Sequence, residues 1–210
     1  MAYKDYFINE RRDMIPFLPS QMAKTIEFGC GSGYFSGRIK KEHGLESWGV
    51  DMNPQAAKVA SKILDRVIVG EAMKAIQDIP VDYFDCLICN DFLEHLSDPD
   101  LFLKEVQKIL KPKAYIICSV PNVRSWGHFI QYFLKKDWKY IDEGILDRTH
   151  LRFFTKKSLI RMLNDASIEI EKIQGITPTN TILFNLTNIL SFGFISDMRF
   201  LQYAVRGRFK

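Results

Sequence analysis

The chain has 210 residues, of which 47% are hydrophobic and 26% are charged. This size and composition fit one globular domain with a real hydrophobic core and exclude a disordered or fibrous protein. The formal net charge is only +4, and apart from a mild excess at the carboxyl terminus Lys and Arg are spread along the chain. We therefore expect no nucleic-acid partner.

Two stretches bear on the compartment of the protein. Residues 1–12 mix charged with apolar side chains and lack the apolar core of a signal peptide. The longest uncharged stretch, residues 176–196, contains three asparagines, which a membrane-spanning helix rarely carries. Cys86 and Cys89 would lie on opposite faces of a strand, so they are interpreted as buried small hydrophobes and not as metal ligands. We expect a cytoplasmic protein without an integral membrane span.

Short strands and helices alternate along the first 120 residues. Helices are predicted at residues 34–43 and 55–64, and from Asp98 to about residue 110, with a turn at 111–113. Strands of a parallel sheet are predicted at residues 25–28, 47–51, 67–69, 84–89 and 114–120. This alternation indicates an α/β fold with a Rossmann-like parallel sheet flanked by helices.

The alternation stops after Pro121. Residues 122–154 are rich in aromatic side chains, and we interpret them as a small cap or lid inserted after the fifth strand. The aromatic rings either stack on a flat acceptor or fill the core of the cap. Thr155 is predicted to N-cap a helix that ends at residue 163.

A carboxyl-terminal helix and a last strand are predicted within residues 176–210. A sixth strand at residues 168–173 would pair with this last, antiparallel strand at residues 200–205. Apolar side chains from Ile182 to Leu190 recur at helical spacing. That face packs on the sheet, or else residues 182–195 contact a membrane surface or a partner subunit. The whole chain, 1–210, is predicted to be one domain.

A glycine-rich loop carries the functional prediction. Gly29, Gly31 and Gly33 follow the first strand and precede a helix, the position where an open α/β sheet binds a nucleotide-like ligand. Asp51 ends the second strand, where a carboxylate can accept hydrogen bonds from both hydroxyls of a ribose. The sequence therefore predicts an adenosine-containing ligand.

Two departures from the dinucleotide fingerprint narrow the choice of ligand. The third glycine of that fingerprint would fall at position 34, where this chain has Tyr34. The first strand contains Glu27, whose carboxylate would repel a pyrophosphate and attract an ammonium group. Both features favour S-adenosylmethionine over NAD.

The same residues resemble the class I S-adenosylmethionine-dependent methyltransferases. Residues 27–33 are similar to the first motif of that family, and Asp51 to its ribose-binding acid. Residues 70–72 resemble the segment that meets the adenine, although Glu71 stands where the family usually has Asp. Residues 90–96 are similar to the motif beside the methionine part. Residues 147–155 resemble a subset of the superfamily associated with surface polysaccharide or quinone-type molecules.

This resemblance implies methyl transfer from S-adenosylmethionine to an oxygen or nitrogen of a small molecule such as a sugar, a phenol or a quinone-like metabolite, with S-adenosylhomocysteine as the product. The residues expected to bind the cofactor are Glu27, Phe28, Gly29, Cys30, Gly31, Gly33, Asp51, Met52, Glu71, Ala72, Asn90, Asp91 and Phe92.

Two histidines are candidate catalytic residues, because a base assists methyl transfer when the nucleophile is an alcohol or a protonated amine. His95 either takes a proton in the acceptor pocket or braces the loop before Asp98. His150 either acts as a base or packs as a hydrogen-bonding partner of the cap. Asp91, Glu94, His95 and Asp98 form a small acidic cluster, which suggests a metal site. Asp98 is assigned to a helix cap, however, and no matching pair of acids ends the fifth strand, so no metal ion is predicted.

Three alternatives stay open at this point. A macromolecule methyltransferase is disfavoured because neither an Asn-Pro-Pro-Tyr-type motif nor a Pro-Cys pair is present. A cofactor-binding protein without catalysis is disfavoured by the intact Glu27 and Asp51. An NAD-dependent dehydrogenase is disfavoured by Tyr34 and Glu27.

Overall fold

A computed structural model describes residues 10–210 of the chain. The prediction that residues 1–12 carry no signal peptide therefore falls almost entirely outside the described residues. Within the described residues, a seven-stranded mixed sheet forms the centre of the fold, in the order β3-β2-β1-β4-β5-β7-β6. The strands are β1 (Lys24–Phe28), β2 (Glu46–Asp51), β3 (Arg66–Val69), β4 (Phe84–Asn90), β5 (Leu110–Pro121), β6 (Ile168–Pro178) and β7 (Phe200–Phe209).

The pairing of the strands confirms the predicted fold class. Strands β1 to β5 pair in parallel with one another. Strand β7 is antiparallel to β6, as predicted, and it lies between β5 and β6 because it also pairs with β5. Both β6 and β7 are longer than the sequence pattern indicated, since their outer halves alternate too weakly to be recognised as strands.

Seven α-helices connect the strands in the described part of the chain, residues 10–210. They are α1 (Tyr34–His43), α2 (Pro54–Ala60), α3 (Ala72–Ala75), α4 (Pro99–Glu105), α5 (Trp126–Phe129), α6 (Lys156–Asp165) and α7 (Ile182–Leu190). Asn53, Asp98 and Thr155 accept backbone N–H groups of the first turns of α2, α4 and α6, as expected of N-cap side chains. Helix α5 continues into a π-helical segment, Ile130–Leu134.

The sheet is buried on both faces. Helices α3, α4 and α6 cover one face and share its core with Phe28 and Cys89. Helix α1 and a 3-10 helix, Arg12–Phe17, cover the other face, where Cys86 lies. Cys86 and Cys89 therefore point to opposite faces of β4, as predicted, and all four cysteines are free and buried.

Two predicted boundaries were wrong. Helix α4 ends at Glu105 and a 3-10 helix, Val106–Ile109, follows, so the predicted turn at residues 111–113 lies inside β5. The chain still bends there, because Lys113 has a φ of +62°. Helix α2 ends at Ala60, four residues before its predicted end, in turns that lead to Arg66.

Of the two alternatives for the apolar face of α7, packing on the sheet does not occur. Phe184 is the only buried residue of α7, and it contacts Trp126 of α5 edge to face. Ile182 and Leu190 are each 78% exposed. Helix α7 therefore packs on the cap and turns its apolar face away from the protein. No helix within residues 10–210 is long and apolar enough to cross a membrane.

A glycine in β2 brings the loop after β1 close to the sheet. A Cβ atom on Gly49 would lie 2.6 Å from Cys30 Sγ and 2.8 Å from Leu64 Cδ1. No side chain larger than hydrogen fits there unless the loop moves. The Cys30 side chain is thus seated over β2, which fixes the path of the glycine-rich loop.

We expect Gly49→Ala to lower the free energy of unfolding by about 1–3 kcal/mol, because its methyl group overlaps Cys30 and Leu64. Urea unfolding measures this loss. Gly127→Ala is the matched control, since a Cβ there meets nothing within 4 Å, and this helical position should gain up to about 1 kcal/mol. Equal stabilities of the two variants would contradict the close packing at Gly49.

Candidate functional site

The glycine-rich loop lies at the carboxyl end of β1, between β1 and α1. Gly29, Gly31 and Gly33 have φ angles of +73°, +53° and +76°, a conformation that side-chain-bearing residues rarely adopt. The N–H groups of Gly29 and Cys30 donate to Val50 O at 2.8 and 3.2 Å. These bonds tie the loop to the end of β2.

Asp51 holds this loop from the neighbouring strand. Its Oδ2 accepts the Gly31 N–H at 2.7 Å, and its Oδ1 accepts the Asn53 N–H at 2.8 Å. Each oxygen of a carboxylate has a second lone pair, so Asp51 still has capacity to accept from a ligand. The predicted ribose-binding acid is therefore fixed beside the loop by two backbone N–H groups.

Glu27 is a buried carboxyl group behind the loop. Ser36 Oγ donates to its Oε2 at 2.6 Å, and Asn90 Nδ2 donates to its Oε1 at 3.3 Å. Burial raises the pKa of Glu27 to about 7, and the two hydrogen bonds oppose part of this rise. The neighbouring Asn90 Oδ1 is buried and has no hydrogen-bond partner. A carboxylate beside an unpaired acceptor fits a cationic donor such as the ammonium group of a methionine moiety.

An aromatic side chain closes the same part of the site. A Cβ atom on Gly29 would lie 3.0 Å from Phe92 Cδ2, so the glycine allows the loop to approach this ring. Phe92 in turn packs against Phe28 and Phe102, with ring centroids 5.9 and 5.2 Å away. The structure thus brings Phe92 to the glycine-rich loop, as predicted.

Other predicted cofactor residues are less engaged with the loop. Met52 is 70% exposed beyond Asp51. Glu71 is exposed and pairs with Lys74 Nζ at 2.8 Å, whereas Ala72 is buried in the core. The carboxylate of Asp91 is bound by Arg11, Ser119 and Gln202.

Asp91 belongs to a polar network centred on Arg11. The buried guanidinium of Arg11 pairs with Asp91 and donates to Ser119 Oγ at 3.1 Å. Gln202 Nε2 also donates to Asp91 Oδ1, at 3.0 Å. Sequence analysis missed Arg11, because nothing in its local pattern distinguishes it from the surface arginine that follows it.

The two candidate catalytic histidines lie together. The ring centroids of His95 and His150 are 4.7 Å apart. The Nδ1 atom of His150 lies 2.9 Å from Ile145 O, and Nδ1 of His95 lies 3.0 Å from Thr149 Oγ1. Burial and the neighbouring His150 lower the pKa of His95, which favours its neutral form.

Glu94 is a site residue that the sequence analysis did not select. It is 0% exposed, and neither carboxylate oxygen has a hydrogen-bond partner. Burial, with the charge of Asp91 nearby, holds its pKa well above the usual range. Its backbone O accepts the N–H groups of Leu151 and Arg152 at 2.8 and 3.0 Å, which brings the segment of His150 to the end of β4. The signal available in the sequence was its place beside His95.

These groups border a cavity of about 430 Å³ beneath residues 141–147. Asp91, Glu94, Asp147 and His150 form its polar wall, and Ile145 is one of its apolar residues. Because Asn90 contacts Glu27 while Asp91 lines this cavity, consecutive residues connect the glycine-rich side of the site to the cavity.

The chain matches the family model described as "Methyltransferase domain" over residues 3–173. It is 30% identical over 162 residues to a ubiquinone biosynthesis O-methyltransferase of Idiomarina loihiensis. The matched region covers 73% of this chain and 64% of that protein. The chain thus spans just under two thirds of that relative.

Solved structures share the fold. A SAM-dependent methyltransferase from Archaeoglobus fulgidus superposes with a TM-score of 0.64 at 21% identity, covering 94% of this chain and 90% of that one. One from Methanosarcina mazei gives 0.65 at 19% identity, covering 94% and 97%. The chain belongs to the methyltransferase-domain family, which confirms the resemblance to class I S-adenosylmethionine-dependent methyltransferases and the cofactor that it implies.

We expect the affinity for S-adenosylhomocysteine to rise between about pH 6 and about pH 8. Glu27 has a raised pKa of about 7 and is mostly protonated below that value, whereas the ligand's ammonium group favours the carboxylate. Calorimetric titration across this range measures the change. Glu27→Gln should bind more weakly and lose the dependence, and an unchanged pH profile in that variant would separate Glu27 from the ligand.

Proposed function

We propose that the protein transfers a methyl group from S-adenosylmethionine to a hydroxyl oxygen of a small molecule. The observation that carries this proposal is the arrangement of Glu27, Asp51 and the glycine-rich loop at adjoining strand ends, beside a cavity with polar and apolar walls. Glu27 and Asn90 would hold the methionine part, and Asp51 the ribose. When bound, the cofactor supplies an electrophilic methyl group.

Among sugars, phenols and quinone-like metabolites, we favour a hydroxyl group on an aromatic ring as the acceptor. The cavity joins apolar side chains, such as Ile141 and Ile145, to the polar groups Glu94 and His150. A flat ring with a hydroxyl group matches this mixed lining. The name of these relatives, ubiquinone biosynthesis O-methyltransferase, agrees with oxygen as the acceptor atom.

His95 and His150 stand on the acceptor side of the site. With Nδ1 of His150 donating to Ile145 O, its Nε2 carries the lone pair that faces an acceptor proton. Residues 122–154 would then act as the cap of a single domain, holding the acceptor over the end of β4. Free, buried thiols support a reducing compartment such as the cytoplasm.

The test is a methyl-transfer screen with phenols, catechols, sugars and amines, read as acceptor-dependent release of S-adenosylhomocysteine. We expect release with phenolic hydroxyls. Asp51→Asn should weaken S-adenosylhomocysteine binding at least about tenfold, because the loop and the ribose lose a charged acceptor. Asp65→Asn is the control, since Asp65 accepts the Ser47 N–H away from the loop.

Two results would redirect the proposal. Binding of S-adenosylhomocysteine without transfer to any acceptor would support a cofactor-binding protein without catalysis. Transfer to RNA or DNA alone would support a macromolecule methyltransferase. NAD binding in place of S-adenosylhomocysteine would contradict the assignment of Glu27.

We further propose that residues 182–195 contact the surface of a lipid bilayer. Phe192 is 100% exposed and Leu190 is 78% exposed. Residues 176–196, which include the whole of α7, contain no charged side chain. Helix α7 shares a hydrophobic cluster with α5, whose π-helical extension ends in exposed Phe133 and Leu134. Lys135 and Lys136 follow directly and suit anionic headgroups.

Flotation with vesicles of phosphatidylcholine and phosphatidylglycerol tests this contact. We expect Ile189→Glu combined with Leu190→Glu to reduce the bound fraction at least about fivefold, because charged side chains do not enter the interface. Val81→Glu, at an exposed apolar position on another part of the surface, is the control. If the wild-type protein does not bind vesicles, and if it forms a dimer that the double substitution abolishes, then residues 182–195 contact a second copy of the chain and not a bilayer.

A further inference from the structure

Three side chains beside the cavity form a cluster that the cofactor does not use. Glu94, His95 and His150 each offer one ligand atom, and these atoms lie within 4.8 Å of one another. Glu94 and His95 follow β4, whereas His150 is brought in by the backbone bonds from Leu151 and Arg152 to Glu94 O. The cluster therefore depends on the tertiary fold and is more than a run of neighbouring residues.

Both imidazole rings are oriented by hydrogen bonds through the same nitrogen. His150 Nδ1–H donates to Ile145 O at 2.9 Å. The hydroxyl of Thr149 donates to Asp147 Oδ1 at 2.6 Å, so its oxygen accepts from His95 Nδ1–H at 3.0 Å. In both rings Nε2 is then the unprotonated nitrogen. An imidazole held through Nδ1–H by a carbonyl or hydroxyl oxygen is the usual arrangement of a metal-ligating histidine.

Glu94 supplies the observation that points to a ligand. Its side chain is fully buried, and neither oxygen has a hydrogen-bond partner among residues 10–210. A buried polar group without a partner destabilises the folded state, so native proteins keep very few of them. The charge of Arg11 reaches Glu94, but the Arg11 guanidinium itself pairs with Asp91 and Asp13. The carboxyl group thus has an unused binding capacity beside two unprotonated nitrogens.

We propose that Glu94, His95 and His150 bind a divalent transition-metal ion through one carboxylate and two imidazole nitrogens. Two nitrogens and one oxygen favour ions such as Mn²⁺ or Zn²⁺ over Mg²⁺ and Ca²⁺, which prefer oxygen ligands throughout. Three protein ligands leave coordination positions open, as in catalytic metal sites. The open side faces the cavity, because Glu94 and His150 line its wall.

The cation's role in catalysis rests on the proposed function, whereas its binding does not. An acceptor hydroxyl at an open position would have a lowered pKa, as water does on zinc. Its proton leaves to solvent, the oxygen forms a bond to the methyl carbon, and the carbon–sulfur bond breaks. The cation would thereby do the work assigned to a histidine base, and His95 and His150 would act as its ligands.

Calorimetric titration of the full chain, freed of metal by dialysis against EDTA, tests the site. We expect one equivalent of MnCl2 to bind, and more weakly MgCl2. Glu94→Gln and His150→Ala should each weaken Mn²⁺ binding at least about tenfold, because a three-ligand site loses one ligand. His43→Ala, an exposed histidine at the end of α1, should leave the titration unchanged.

A second readout keeps the result independent of methyl transfer. Co²⁺ bound to a mixed nitrogen and oxygen site gives a visible absorption band, which Glu94→Gln should abolish. Glu94→Gln is isosteric, so thermal unfolding and S-adenosylhomocysteine binding should both persist and show that the variant is folded. The proposal fails if the wild-type chain binds none of these ions, or if Glu94→Gln and His150→Ala bind Mn²⁺ as the wild type does. If the wild-type chain does not bind S-adenosylhomocysteine, that result counts against the proposed function and not against the metal site.

Discussion

The carboxyl end of β4 is the constraint on which both sides of the site depend. The sheet order places β1 between β2 and β4, so the chain leaves β1 and β4 at the point where the strand order reverses. An open crevice results at such a point. Asn90 turns toward Glu27, whereas Asp91, with a φ of +48°, turns toward Arg11 and the cavity. One backbone change at a strand end thus separates the cofactor side from the acceptor side.

Two buried carboxyl groups flank that strand end, and they have different surroundings. Glu27 has Ser36 and Asn90 as donors, and its pKa rises only to about 7. The carboxylate oxygens of Glu94 have no hydrogen-bond partner among the described residues, and burial holds its pKa well above the usual range. Because a raised folded pKa means that the native state holds the proton more tightly, each group lowers stability as the pH rises above about 4.5. A protein selected for stability alone would not keep both, which is consistent with a binding role for each.

The sequence predicted the part of the site that is built from local geometry. Glycines at a strand-to-helix junction and an acid ending the next strand occupy fixed places in a parallel sheet, so Gly31 and Asp51 were found together and meet at 2.7 Å. Arg11 could not be found in this way, because its partner Asp91 is 80 residues distant. The sequence left the surroundings of the apolar face of α7 open for a related reason. Periodicity gives the width of an apolar face but not the surface that it contacts.

The segment at residues 147–155 shows how a motif without an obvious reaction can serve a site. Asp147 accepts the Thr149 hydroxyl and the Thr149 N–H, forming a turn. The turn presents His150 to His95 and lets the next two residues donate to Glu94 O. The cluster of Glu94, His95 and His150 is complete only when two segments meet. The segment after β4 contributes Glu94 and His95, and residues 147–155 contribute His150. Glu94, His95 and His150 therefore come together only when residues 147–152 are folded against the end of β4.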